Sequence, residues 1–260
     1  MKTNIIKISI LLFAAVATMT SCRYKDKNII LPVAPVPDSA TVKIEVFNMV
    51  GTSALNMGNQ WYKNEHEDSF QVSMLNYYIS NIKLTSASAT YAEDYSYHLV
   101  QQSSSTSRIF DLANVPYGTY TGITFTIGVD SAHNVTGTQS GALDPINGMF
   151  WSWTTGYVML KFEGVSPKSP QANNAVAMHA GGFSGVNNVL RTVTLSFPTP
   201  ITVGAGAENH IHLSANILEM FKSPVVVDFS TLNTIHMPGP NGKLFADNYA
   251  DMFSVSYAGL

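Results

Sequence analysis

Apolar and polar positions alternate along most of this chain. Val42, Ile44 and Val46 alternate with Lys43 and Glu45, and Ile123, Phe125, Ile127 and Val129 with Thr124, Thr126 and Gly128. Val158, Leu160 and Phe162 alternate with Met159, Lys161 and Glu163, and Val193, Leu195 and Phe197 with Thr192, Thr194 and Ser196. Successive side chains of a strand point to opposite faces, so each stretch predicts a strand with one buried face. Further strands are predicted over 70–74, 77–84, 97–100, 107–111 and 210–217, with Pro116-Tyr117-Gly118 as a turn between two of them. Helix is scarce: one short helix is expected over 246–253, capped by Asp247 or Asn248, and a helical turn near 218–221. Segments 130–150 and 166–188 read as long irregular loops, where binding groups on a β scaffold usually sit. The expected class is all-β: a β-sandwich, Ig-like or related, with long loops and one short C-terminal helix.

The N-terminus follows a different rule. Lys2 and Lys7 precede an apolar run over 8–19, too short for a membrane-spanning helix, which ends in Met19-Thr20-Ser21-Cys22. This arrangement resembles a bacterial lipobox, in which the cysteine becomes the lipidated first residue. Residues 1–21 are therefore expected to be a lipoprotein signal peptide, and 22–40 a Pro-rich tether in which Leu31-Pro-Val-Ala-Pro-Val-Pro37 favours extended geometry. The domain is expected over 41–260. Cys22 is the only cysteine, so an exported domain of this sequence has no disulfide to staple it. The implied location is the cell envelope, with the protein anchored to a membrane through Cys22, whether periplasmic or surface-exposed.

Charge narrows the partners. Removal of 1–21 takes away two lysines and no acid, leaving 12 Lys and Arg against 17 Asp and Glu, a formal charge of −5. No basic stripe exists, which argues against a nucleic-acid partner. Several enzyme templates also fail. Gly182-Phe183-Ser184-Gly185 starts like a nucleophile elbow, but Val186 stands where the last glycine belongs. There is no phosphate loop, dinucleotide fingerprint or H-E-x-x-H. Asp144-Pro145-Ile146-Asn147-Gly148 lacks EF-hand spacing and reads as a turn. With no nucleophile–base or acid–acid pair declared, an enzyme is not expected.

Two features remain. Trp151 and Trp153 lie two apart, so an extended strand places them on one face, as it would any pair of core or rim aromatics. His210 and His212 likewise share a face with Ser214 and Asn216, while Ile211, Leu213, Ala215 and Ile217 face inward. Paired imidazoles suit copper or zinc, although a solvent-exposed strand shows the same polar face. His179 lies among small residues that let groups approach the backbone. His66 and His98 read as surface or loop residues, and His133 and His236 are undecided.

Several segments, in order, carry a resemblance. They are Val46-Phe47-Asn48; Tyr77-Tyr78-Ile79-Ser80-Asn81-Ile82-Lys83-Leu84; Phe125-Thr126-Ile127-Gly128-Val129-Asp130-Ser131; and Leu143-Asp144-Pro145 with Gly148-Met149-Phe150-Trp151-Ser152-Trp153. Gly156-Tyr157 through Phe162-Glu163-Gly164, then His179-Ala180-Gly181-Gly182-Phe183, and Asp247-Asn248-Tyr249-Ala250-Asp251-Met252-Phe253 complete the set. Together they resemble the MbnP-like family of exported copper-binding proteins over roughly residues 41–255. The resemblance implies copper held by histidines beside the W-x-W block, one of whose tryptophans is oxidised to kynurenine by a dihaem partner enzyme of the cytochrome c peroxidase type. Trp151 and Trp153 match the W-x-W positions, His179 the H-x-G-G histidine, and His212 the histidine of the late strand. Where the family continues that strand as H-x-H, this chain has His212-Leu213-Ser214, and His210 is the substitute on the same face. The family's C-terminal histidine is also missing, since Ser254-Val255-Ser256-Tyr257 follows Met252-Phe253.

The expected function is therefore a copper carrier or scavenger with His179, His212 and His210 as ligands beside Trp151 or Trp153. The alternative is a non-metal module that presents its aromatic strip and loops to a glycan or a protein. Convergence of His179 with His212 separates the two: imidazoles far apart, with neither near Trp151 or Trp153, would remove the copper reading.

Overall fold

The computed structural model describes residues 38–87, 90–137, 139–152, 154–206 and 208–259. Cys22, the signal segment, nearly all of the tether and Trp153 lie outside the described residues.

The domain is a sandwich of two mixed sheets. The smaller sheet orders β15 (Phe253–Gly259), β13 (Asn209–Asn216), β1 (Ser39–Val50) and β2 (Ser53–Ala54), and β7 (Ile109–Pro116) also pairs with β1. The larger runs β12 (Arg191–Val203), β8 (Gly118–Ile127), β4 (Ser69–Thr85), β10 (Gly156–Val165), β11 (Ala175–Gly181) and β14 (Thr234–Ile235). Short strands extend this sheet: β3 (Tyr62–Lys63), β5 (Thr90–Ala92) and β6 (Tyr97–Gln101) on β4, and β9 (Phe150–Ser152) on β10.

The alternating stretches form strands for the expected reason. Val42, Ile44 and Val46 of β1 are buried, as are Ile211, Leu213 and Ala215 of its parallel neighbour β13. Facing them are Tyr77 of β4 and Phe125 of β8, whose rings lie 5.7 and 5.0 Å from that of Phe253 on β15. The Tyr77 hydroxyl donates to Asn48 Oδ1 at 2.7 Å, and Asn48 Nδ2 donates to Gln102 Oε1 at 2.9 Å. This buried polar chain fixes the register of β1 against β4.

Three expectations need correction. The stretches 77–84 and 70–74 are one strand, β4, which stays paired throughout by taking a bulge. Its pairing with β8 slips by one residue between Ser80 and Lys83, where Asn81 adopts φ 54°. Asparagine tolerates that left-handed conformation better than branched residues do. Second, the loop expected over 166–188 contains β11. Val176, Met178 and Ala180 are buried and alternate with Ala177 and His179, but alanine is a weak strand former and hides the period. Third, the helix expected over 246–253 is α2, Pro240–Tyr249, preceded in the chain by α1, Ser131–Asn134. Proline favours a helix's first turn, and the chain is extended again by Phe253. Asp247 and Asn248 therefore do not cap the N-terminus. Arg191 and Lys243 hold Asp247, and Asn248 bonds Met220 and Val225 backbone groups. The helical turn near 218–221 is a 3-10 turn, Ile217–Phe221. Asp144 accepts from Ile146 N at 2.9 Å in a turn, as expected for its segment.

A second aromatic cluster anchors that turn. Phe221 is fully buried, with its ring 5.4 Å from Phe70 and 5.2 Å from both Phe162 and Phe229. Phe221→Ala should destabilise the domain by about 3–5 kcal/mol, the usual cost of removing a packed phenylalanine. Urea denaturation reads the change directly, and a loss under about 1 kcal/mol would mean the cluster closes over the cavity.

Candidate functional site

The parallel pairing of β1 with β13 sets Glu45 beside His212 and Lys43 beside His210. Because Ile44, Val46, Ile211 and Leu213 face the core, these polar residues project together from the opposite face of the small sheet. His210 Nδ1 lies 3.2 Å from Glu45 Oε1, and His212 Nε2 lies 3.7 Å from Glu45 Oε2. The three groups present ligand atoms within 4.8 Å of one another, and all are half-buried. Phe47 and Tyr257 flank His212, with ring centroids 5.2 and 5.0 Å away. One carboxylate thus bridges two imidazoles on a rigid ladder.

His179 does not join this group. It sits on β11 of the other sheet, opposite Lys161 in register, and its Nε2 donates to Glu163 Oε1 at 2.8 Å. Its ring centroid is 5.1 Å from that of His236, just beyond β14. Burial pulls the His179 pKa below the ordinary imidazole range; Lys161 and His236 act in the same direction, while Glu163 opposes them. With Nε2–H given to a carboxylate, the neutral ring keeps its Nδ1 lone pair free for a ligand. Trp151 packs against Gly181, two residues along β11, so closely that a Cβ there would collide with the indole Cζ3. Positions 179 and 181 share a strand face, so the indole lies on the same side of β11 as His179.

The expected single constellation is therefore divided. His210 and His212 meet Glu45 on one sheet, while His179 meets Glu163 and His236 beside Trp151 on the other. Strand direction and face were readable for His210 and His212, but only the non-local β1–β13 pairing could add Glu45. His236 and Glu163 had no local signal either. His98 is not a loop residue: it lies on β6, stacked 3.8 Å from Phe110, with Glu93 Oε2 2.9 Å from its Nε2.

This is a two-sheet β domain with imidazole–carboxylate clusters on both sheets. The family model MbnP matches residues 39–237, and the chain belongs to that family. Among solved structures, MbnP from Methylosinus trichosporium is similar at 13% identity with a TM-score of 0.52. That match covers 79% of this chain and 83% of the other, a likeness of fold. No curated protein matches the chain.

Within the matched region, the Tyr-Ile-Ser-Asn block interlocks with the 125–131 block. Ser80 Oγ donates to Gly128 O at 2.7 Å, and Asn81 Nδ2 to Asp130 Oδ2 at 3.1 Å. Gly128 holds φ 117°, a conformation that L side chains rarely adopt, and a Cβ there would also press on Leu190 Cδ2 and Met159 Cβ. The Asp130 carboxylate caps α1 and accepts from the Tyr97 hydroxyl at 2.6 Å, with Nδ1 of His133 2.5 Å from that same hydroxyl. Burial alone would raise the Asp130 pKa, but hydrogen bonds from Tyr97, Asn81 and His133 outweigh it and hold the carboxyl below its usual range. A carboxyl with a depressed folded pKa stabilises the fold above the unfolded value, about 3.9, and that contribution disappears as pH falls through the folded pKa. Asp130→Asn should therefore cost roughly 1 kcal/mol at pH 7. The gap to the parent should close below about pH 4. Parallel denaturation curves at pH 7 and pH 3 check it; an equal gap at both would exclude the charge as its cause.

Proposed function

We propose that this protein is exported, lipid-anchored at Cys22, and binds copper as cargo through Glu45, His210 and His212, acting by coordination rather than catalysis. The convergence of these three side chains carries the reading. Bonds of about 2 Å at a tetrahedral angle separate two ligand atoms by about 3.3 Å, so contacts of 3.2 and 3.7 Å require only small side-chain shifts. Two imidazole nitrogens and a carboxylate oxygen suit Cu(II) better than the thiolate or thioether sites that select Cu(I). Partial exposure leaves a position open, as delivery of a cargo ion requires.

A second placement has its own support: the His179–His236 pair beside Trp151, in which His179 is one of the histidines that the family resemblance implies. The two placements separate by mutation. In a Cu(II) titration followed by electron paramagnetic resonance, His210→Ala and His212→Ala should each weaken binding at least about tenfold, while His179→Ala and His236→Ala leave it unchanged. Loss only in the latter pair moves the cargo to the second placement. Copper affinity indifferent to all four substitutions would end the copper reading.

The anchor has a separate test. Cys22→Ser should shift the protein from the membrane fraction to the soluble envelope fraction of the expressing cell and abolish incorporation of labelled fatty acid. Membrane retention with no change in labelling would rule out the lipid attachment.

A further inference from the structure

We propose a second metal site, independent of the copper reading, in which His66, Asp68 and Asp228 take a divalent cation of the zinc class. His66 lies in the connection from β3 to β4, Asp68 at the head of β4, and Asp228 in the segment that follows the 217–221 turn. His66 Nδ1 is 3.2 Å from Asp68 Oδ1 and 3.9 Å from Asp228 Oδ1, and the three ligand atoms lie within 4.8 Å of one another. Bonds of about 2.0–2.2 Å to a common ion accommodate those separations.

Charge points the same way. The Asp68 side chain is 1% exposed, and a second carboxylate, Asp228, approaches the same imidazole. Burying one carboxylate near another is costly without a compensating cation. Among the described residues, the ion-pair partner of both carboxylates within 4.0 Å is His66, and the Lys168 charge acts on Asp228 from further away. A divalent ion bound by one neutral imidazole and two carboxylates makes a site of zero net charge.

The ligands are also held by outer contacts. Asp68 Oδ2 accepts from Phe229 N at 2.9 Å, and Asp68 N donates to Asn64 Oδ1 at 2.9 Å. Asp228 Oδ1 and Oδ2 accept from Ser230 N and Oγ, each at 2.7 Å. Such contacts orient metal ligands ahead of the ion. Asn64 Nδ2 bonds Val227 O at 2.9 Å, so the ion would clamp together two segments already joined by hydrogen bonds between residues more than 160 positions apart. One nitrogen and two carboxylate oxygens, with a coordination position left for water, is a donor set that zinc accepts.

The test uses the mature chain carrying His179→Ala, His210→Ala and His212→Ala, which removes both histidines of the first copper placement and one of the two in the second. Calorimetric titration with Zn2+ at pH 7 should find one ion per chain, and saturating zinc should raise the melting temperature by several degrees. Adding His66→Ala or Asp228→Asn should weaken zinc binding at least about tenfold and abolish the thermal gain, with the metal-free melting temperature nearly unchanged. Both positions are partly exposed, so these variants keep the test valid where loss of the buried Asp68 would unfold the chain. Absence of zinc binding in the triple variant, or zinc binding that neither substitution weakens, overturns the proposal. Copper titration of the parent chain reports separately on the first site.

Discussion

The domain depends on keeping one long strand fully hydrogen-bonded. β4 spans 17 residues: β10 pairs with Gln71 to Tyr77 and β8 with Ile79 to Thr85 along one edge, while β6, overlapping both, and β5 pair with the opposite edge. From Leu75 to Ser80 both faces are buried, inward against the small sheet and outward beneath the segment that begins at Asp130. The Tyr78 hydroxyl marks that cover by donating to Ala142 O at 3.1 Å. A strand so enclosed has no water to satisfy a missed backbone partner. The bulge at Asn81 lets it remain paired while it bends, and the same residue ties β4 to Asp130 and α1.

The clusters at the surface inherit their geometry from this frame. His179 and Glu163 meet because β10 and β11 pair antiparallel in fixed register, with β10 itself positioned by β4. Glu45 reaches His210 and His212 because β1 runs parallel to β13, and the Tyr77–Asn48 hydrogen bond sets β1 against β4. Two sets of potential ligands thus occupy separate sheets. A small number of histidines is divided rather than pooled.

The legible part of the fold was whatever depends on neighbouring residues. Period-two patterns at 42–46, 123–129, 158–163 and 193–197 correspond to β1, β8, β10 and β12, and the shared face of His210 and His212 followed from spacing alone. Patterns weakened by small residues were lost: Ala175, Ala177, Ala180 and Gly181 disguised β11 and left His179 in an expected loop. Everything that required knowing which strands touch was out of reach. Glu45 is an ordinary outward charge until β13 lies beside it, and Asp68, Asp228 and His66 are unremarkable until the chain returns after Phe221. Sandwich topologies are dominated by such distant pairings, so their polar clusters resist local reading.

The parallel β1–β13 ladder has one more implication. Neighbouring strands stand about 4.8 Å apart, and alternate residues about 6.6 Å along a strand, so main-chain hydrogen bonds rather than turns dictate the triangle formed by positions 45, 210 and 212. Insertions, deletions or exchanges in the surrounding connections leave that triangle untouched. It behaves as a portable unit, one that any paired parallel strands with the same three side chains would reproduce, and over evolution the loops of this domain are free to drift without disturbing it.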